Sequence, residues 1–384
     1  MIARIIIPLL LVIVLTYGYF YLTHRWYRKK WWMQLFFLIF LFALIRRFVV
    51  SSQWLDYFPN TTSEIMYVIG VMVVFVILPA TVALCGFVGR LFKRQRRGEV
   101  VGWVLAFLSL VIFVYGVVIG ARKFEVRHVE FASSELPAAF DGYKIVQVSD
   151  LHLGTFTGSR TELLREAVDS INAQQADMVV FTGDLQNKEP SEIEPHVQLL
   201  STIKAKDGVF SVLGNHDYAE YIDHSDPFRV GGNLGLTQTL QEEMGWQLLN
   251  NTHCRIRRDS SYIYVAGMEN DGEGRFPQYG DIQHALFGLL PADRDFVVML
   301  EHDPSSWERK ILPHSHVQLT LSGHTHGGQF SIFGWSPVSL VYPKINGMYY
   351  HGDRALFVSK GLGGVIPFRF GATGEIAVIT LHKK

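Results

Sequence analysis

Two imidazoles, His324 and His326, stand two residues apart in the stretch Gly323-His324-Thr325-His326-Gly327-Gly328. In a fully extended chain the two rings would point to the same side, and both could reach one ion. In a turn they splay and can serve two different ions. The flanking glycines let ions and a substrate come close to the backbone. Such a pair is common in loops and strands, and alone it says little. Its weight comes from polar clusters further upstream: Asp150-Leu151-His152, Gly183-Asp184, Gly214-Asn215-His216-Asp217 and Glu301-His302-Asp303-Pro304.

Pooled, these clusters offer Asp150, His152, Asp184, Asn215, His302, His324 and His326. Carboxylates, imidazoles and one amide carbonyl form a hard-to-borderline ligand set, suited to Mn, Fe or Zn rather than to Ca or Mg alone. The set is too large for one ion but fits two ions that share a bridging carboxylate. Paired ions ~3.5–4 Å apart clamp the attacking and leaving oxygens of a phosphoryl displacement and lower the pKa of bound water towards ~7. Each residue alone has an ordinary reading. Asp150 and Asp184 could be helix N-caps, Asn215 could sit in a turn, and His302 could face solvent. What favours a shared site is that every cluster follows an apolar run. His314 and His316 repeat the spacing but precede such a run, so they are expected at the opposite end of the sheet.

The elements that must position these groups are short apolar strands. Tyr143–Ser149, Asp177–Phe181, Gly208–Leu213, Phe296–Leu300 and Val317–Leu321 each end at one of the clusters. Helical spacing runs over Ser159–Ile171 and Ile193–Ile203, and Phe124–Phe131 alternates like an edge strand. Strands alternating with helices imply an α/β fold with a largely parallel sheet, whose sites form beyond the carboxyl ends of the strands. The polar stretches Tyr218–Asn233 and Asn270–Gly280 are expected to be surface loops.

Half of the 384 residues are apolar (49%), and the formal net charge is zero. Nothing in that balance points to nucleic acid. Two cysteines, Cys85 and Cys254, exclude a disulfide framework and a thiolate metal cage. The apolar excess is concentrated at the N-terminus. Ile5–Leu22, Trp32–Val50, Ile65–Val88 and Val101–Ile119 approach or exceed the ~20 residues that span a bilayer. This divides the chain into a transmembrane region of about four helices, residues 1–121, and a globular domain, residues 122–384. Arg25, Arg28, Lys29 and Lys30 mark one loop, and Arg90, Lys93, Arg94, Arg96 and Arg97 another, while Ser51–Glu64 has no Lys or Arg. The positive-inside rule then puts the globular domain outside the cytoplasm, against a weaker opposite bias from Arg46, Arg47, Arg122 and Lys123.

The ordered series from Asp150-Leu151-His152 to Gly323-His324-Thr325-His326 resembles the calcineurin-like metallophosphoesterases over Phe124 to Lys384. The likeness is strongest to a membrane-anchored branch with a GHTHGGQ motif and a late Ser359-Lys360-Gly361-Leu362-Gly363 segment. The resemblance implies a four-layer β-sandwich of two mixed sheets flanked by helices, preceded by the transmembrane bundle. It implies that Asp150, His152 and His326 hold one divalent ion and that Asn215, His302 and His324 hold a second, with Asp184 as the bridge. His216 becomes the acid near the leaving group, or a stabiliser of transition-state charge, and Asp217 the residue that orients its ring. The usual Gly-Asp-x-x-Asp reads Gly183-Asp184-Leu185-Gln186-Asn187 here, so a charge is lost at Asn187.

The expected activity is therefore that of a two-metal phosphohydrolase in the inner membrane of a bacterium, acting on a phosphorylated or nucleotide-linked lipid. Relatives of this kind include hydrolases of UDP-2,3-diacylglucosamine in lipid A synthesis. An extracytoplasmic phospholipid or isoprenoid phosphate is the alternative that the charge bias favours. A non-catalytic membrane scaffold with structural metals is the rival from another class. Arg369 and Lys360 are further candidates for contact with substrate charge.

Overall fold

The computed structural model describes residues 2–29, 39, 69–70, 72–218, 227–274, 276–289 and 295–384. The chain divides into two compact units, Met1–Gly116 and Val117–Lys384. Expected spans that fall on residues 30–38, 40–68 and 71, including most of Trp32–Val50, lie outside the described residues.

The first unit is helical. It contains α1 (Ile2–Thr23), α2 (Leu78–Leu91), which continues a π-helical turn at Val73–Ile77, and most of α3 (Gln95–Val118). Among the described residues two helices, Val73–Leu91 and Gln95–Arg122, are long and apolar enough to cross a bilayer. Of the four expected spans, Ile5–Leu22 falls on α1 and Val101–Ile119 on α3, while most of Trp32–Val50 and the start of Ile65–Val88 lie outside the described residues. Small residues let α2 and α3 approach closely. A Cβ added at Gly102 would meet Val82 Cα at 2.7 Å, and one at Gly89 would meet Gly98 Cα at 3.0 Å.

The second unit is built on two six-stranded sheets. The first has the order β1 (Phe124–Ser133), β12 (Gly374–Lys383), β2 (Tyr143–Val148), β3 (Met178–Thr182), β4 (Val209–Val212), β5 (Gln247–Leu248). The second has the order β10 (Gly347–His351), β11 (Arg354–Val358), β9 (Leu319–Ser322), β8 (Val297–Leu300), β7 (Ser261–Gly267), β6 (Thr252–Arg258). In the first, β2 to β5 run parallel and β12 is antiparallel to β2; in the second, β7, β8, β9 and β11 run parallel between antiparallel β6 and β10. The sheets are therefore mixed, as the family resemblance implied, and not one largely parallel sheet.

Alternation along the strands makes the layers. Ile145, Val180, Phe210, Val265, Val298, Leu319 and Phe357 fill the space between the sheets. Val146, Val148, Val179 and Phe181 face the other way and pack under α4 (Arg160–Ala173) through Leu164, Ala167, Val168 and Ile171. On the far side Ala266, Val297 and Met299 pack with Trp307 and Ile311. Two-sided burial explains why these strands read as unbroken apolar runs.

Two expectations are corrected. Ile193–Ile203 is not one helix: 3-10 turns at Pro190–Glu192 and Glu194–His196 precede a short helix, Val197–Leu200. Pro195 disfavours a helical conformation in the residue before it, and the α-helix begins only after His196. The expected loop Tyr218–Asn233 ends inside α5 (Pro227–Glu243), and residues 219–226 lie outside the described set. Three glycines weaken that helix in sequence, but burial of Thr237, Leu240 and Gln241 holds one face against the domain.

A candidate dinuclear metal centre

The parallel strands deliver every expected ligand to one edge. β2 leads to Asp150 and His152, β3 to Asp184, β4 to Asn215 and His216, β8 to His302, and β9 to His324 and His326. The chain leaves these strands sharply. Asp150, His152, Asp184, His324 and His326 all have positive φ, between 50° and 69°. Left-handed non-glycine residues are uncommon, and they cost of order 1–3 kcal/mol each unless the surroundings hold them. Here they turn side chains off the sheet axis into a common space.

Two groups of donor atoms result, and they share one residue. Atoms of Asp150, His152, Asp184 and His326 lie within 4.8 Å of one another, and so do atoms of Asp184, His302 and His324. Asp184 Oδ2 stands 3.5 Å from His152 Nε2 and 3.2 Å from His302 Nε2. His326 Nε2 lies 3.5 Å from Asp150 Oδ1 and 3.3 Å from His152 Nε2. His324 Nδ1 lies 2.8 Å from Asn215 Oδ1 and 3.3 Å from His302 Nε2. The two rings of the His-Thr-His turn thus face different groups, as a turn allows and an extended strand does not. His314 and His316 lie before β9, at the end away from this cluster.

Outer contacts fix the rings. His302 Nδ1 donates to the Thr182 carbonyl (2.7 Å), which leaves the Nε2 lone pair directed at the cluster. His324 Nε2 meets the hydroxyl of Tyr342 at 2.9 Å and Asp303 Oδ2 at 3.6 Å, so its Nδ1 faces Asn215. Asp150 accepts from the His324 backbone N–H. The late Ser359–Gly363 segment packs directly on the cluster: a Cβ at Gly361 would meet Asp150 Cβ at 2.6 Å.

The protonation states suit a cation. Burial pushes His152 down to about 3, with His216 nearby adding to the effect, and burial likewise lowers His324 and His326. Burial alone would raise Asp184, but His302 and His216 outweigh it and hold the carboxyl well below the usual range. Burial disfavours charge on His302, yet the Asp184 carboxylate more than offsets this and holds it well above an ordinary imidazole. Neutral imidazoles and an ionised carboxylate are the ligand forms. The proton on His302 sits where a cation would replace it. Nitrogen lone pairs that converge at 3.3 Å in a buried space fit divalent metal ions.

Asp217 does not touch the His216 ring in the way expected. Its carboxylate accepts from four backbone N–H groups, those of Asp184, Leu185, Gln186 and Gly214. The ring is held instead by the Asn187 carbonyl, 2.6 Å from His216 Nδ1. The reason is position in the fold: residue 217 is buried under two strand ends, where four peptide N–H groups lie within reach of its carboxylate. Arg369 and Lys360 are also spent internally. Arg369 is buried, and its guanidinium donates to the carbonyls of Lys360, Gly361, Gly363 and Ala372. Lys360 pairs with Glu125 and Glu375. Tyr342 and Glu192 were missed in the sequence: Tyr342 reaches the ring of His324 from 18 residues away, and Glu192 reaches only the nearby backbone of Asn187, contacts that no ligand spacing marks.

Residues 143–328 match the family described as calcineurin-like phosphoesterase. A metallophosphoesterase of Bacillus subtilis, YkuE, is 33% identical over 257 residues, 65% of this chain and 82% of that protein. A Danio rerio protein, "transmembrane protein with metallophosphoesterase domain", is 28% identical over 365 residues, 90% of this chain and 79% of its own. The Campylobacter jejuni metallophosphoesterase Cj0846 is 26% identical over 379 residues, 95% of each chain. With these likenesses and this donor set, the chain belongs to the calcineurin-like metallophosphoesterases and is a metal-dependent hydrolase of phosphate esters.

Proposed function

We propose that this protein is a membrane-anchored, two-metal phosphohydrolase that cleaves a phosphoester or pyrophosphate bond in a lipid-linked substrate. The observation that carries the reading is Asp184, whose Oδ2 serves both groups of donors. Asp150, His152 and His326 would hold one ion with Asp184, and Asn215, His302 and His324 the other. A divalent pair so held supplies hydroxide at neutral pH and neutralises charge developing on the phosphoryl oxygens. His216 stands at the edge of this cluster, its ring 4.7 Å from that of His152. With Nδ1 tied to Asn187 O, the ring's Nε2 is the nitrogen that would serve the leaving oxygen. Asp217 fixes the peptides beneath Asp184 and Gly214, and so the distance between ligand loops.

The basic residues Arg90 to Arg97 join the two apolar helices, and the second helix leads straight into β1. A cytoplasmic place for those charges puts the catalytic unit on the outer face. That side favours a phospholipid or isoprenoid phosphate over UDP-2,3-diacylglucosamine, which is a cytoplasmic intermediate. The test is hydrolysis of a generic aryl phosphodiester by the purified full-length protein with Mn, alongside metal content. Wild type should hold two ions per chain and turn over. Turnover undiminished in both Asp184→Asn and His216→Ala would refute the mechanism. Lipid extracts of a deletion strain should accumulate the phosphorylated substrate. A reporter fused after Lys384 that is active only in the cytoplasm would reverse the orientation.

A further inference from the structure

Between the His-Thr-His turn and Tyr342 the chain forms an apolar finger. Ile332 N donates to Trp335 O and Trp335 N to Ile332 O, closing a two-residue hairpin over Phe333 and Gly334. Both tip residues have positive φ, 51° and 82°. Such turns take Asn or Gly at these places, and a bulky aromatic there is strained. Phe333 is fully exposed (105%), and Trp335 (54%), Leu340 (79%) and Val341 (75%) project beside it. From Gln329 to Pro343 there is no charged residue. A strained, fully exposed phenylalanine in an uncharged stretch destabilises the soluble fold and calls for a partner.

The position of the finger identifies that partner. Phe330 stacks on Phe370 at 5.9 Å, and Ser331 N donates to Phe370 O. The preceding residue, Arg369, lies against Gly120: a Cβ added at Gly120 would collide with the Arg369 carbonyl. Gly120 belongs to the apolar helix Gln95–Arg122 and to the same compact unit as the finger. The finger is therefore rooted where the membrane-spanning helix joins the catalytic unit. The candidate metal centre adjoins the base of the finger, since His326 precedes it and Tyr342, which follows it, bonds His324.

We propose that the Ile332–Trp335 hairpin, with Leu340 and Val341, inserts into the leaflet from which that helix emerges and holds the metal centre at the lipid surface. Aromatic and aliphatic side chains without charges suit the interface between headgroups and acyl chains. The docking rests on the membrane-anchored reading above and not on which phosphate is cleaved.

The experiment uses the full chain with Cys85→Ser and Cys254→Ser, reconstituted in vesicles of phosphatidylethanolamine and phosphatidylglycerol. A nitroxide is placed at Phe333→Cys, and a reference label at the exposed Asp353→Cys. At 333, relaxation by lipid-soluble oxygen relative to an aqueous nickel chelate should be several-fold higher than at 353, and unchanged by salt. Equal aqueous access at both sites would overturn the docking. So would spin–spin broadening at 333, which would assign the patch to a second copy. A second arm compares Phe333→Asn/Trp335→Ser with wild type. Asn suits the left-handed turn, so folding is kept. Turnover of a bilayer-dispersed phospholipid analogue should fall several-fold, with a soluble aryl phosphodiester unchanged. If wild type ignores the phospholipid, the substrate reading fails, while the label at 333 still decides the docking.

Discussion

His216 Nδ1 lies 2.6 Å from the backbone carbonyl oxygen of Asn187. That peptide is held in turn by Glu192, whose carboxylate accepts from the N–H groups of Asn187 and Lys188. Glu192 thus positions the His216 ring through one stretch of backbone. Glu192→Ala should lower kcat by about 10–100-fold with KM little changed. Glu192→Gln keeps an acceptor and should recover part of the loss. Steady-state kinetics on an aryl phosphodiester check this.

Glu192 also makes stability depend on pH. Burial pushes its carboxyl up to about 7, against the backbone N–H bonds that favour the ionised form. In the window from the ordinary glutamate pKa of about 4.3 up to this raised value, the folded chain keeps a proton that the unfolded chain releases. Its contribution is therefore full below the window and is lost as pH rises through about 7. Relative to wild type, Glu192→Gln should be free of this loss, by roughly 3–4 kcal/mol between the two limits. Denaturant titrations of both proteins at pH values across the window measure the difference.

Tyr342 stands behind His324 at 2.9 Å, with its own hydroxyl 3.4 Å from Asp303 Oδ2. Tyr342→Phe removes the partner that sets the tautomer of His324. Affinity for the ion that Asn215, His302 and His324 are proposed to hold should drop about 10–100-fold, with the other ion little affected. Calorimetric metal titration of the stripped protein should then show two separated steps. In buffers of different ionisation enthalpy, binding at that site should release a proton, the one that Asp184 holds on His302.

Gly183 has φ of 92°, and a Cβ there would lie 2.6 Å from both Gly214 N and His302 Nδ1. Gly183→Ala therefore strains the backbone and also separates two strand ends that carry ligands. It should cost ~3 kcal/mol or more, and its second metal should be lost first. Thermal unfolding with and without Mn distinguishes the two effects.

The sequence by itself determined which residue types sit at strand ends. β2, β3, β4 and β8 are buried on both faces, so each is an apolar run that stops where polar ligands begin. That local contrast exposed Asp150, Asp184, Asn215 and His302 without any tertiary information. Only the tertiary structure decided how the runs are shared between two sheets. β12, at the end of the chain, slots between β1 and β2, a pairing across more than two hundred residues that no periodicity encodes. It likewise decided the partners of the His216 ring. Asp217 follows His216 in the chain yet bonds four peptides, while a carbonyl from residue 187 takes the ring, because hydrogen bonds follow proximity in the fold and not order in sequence.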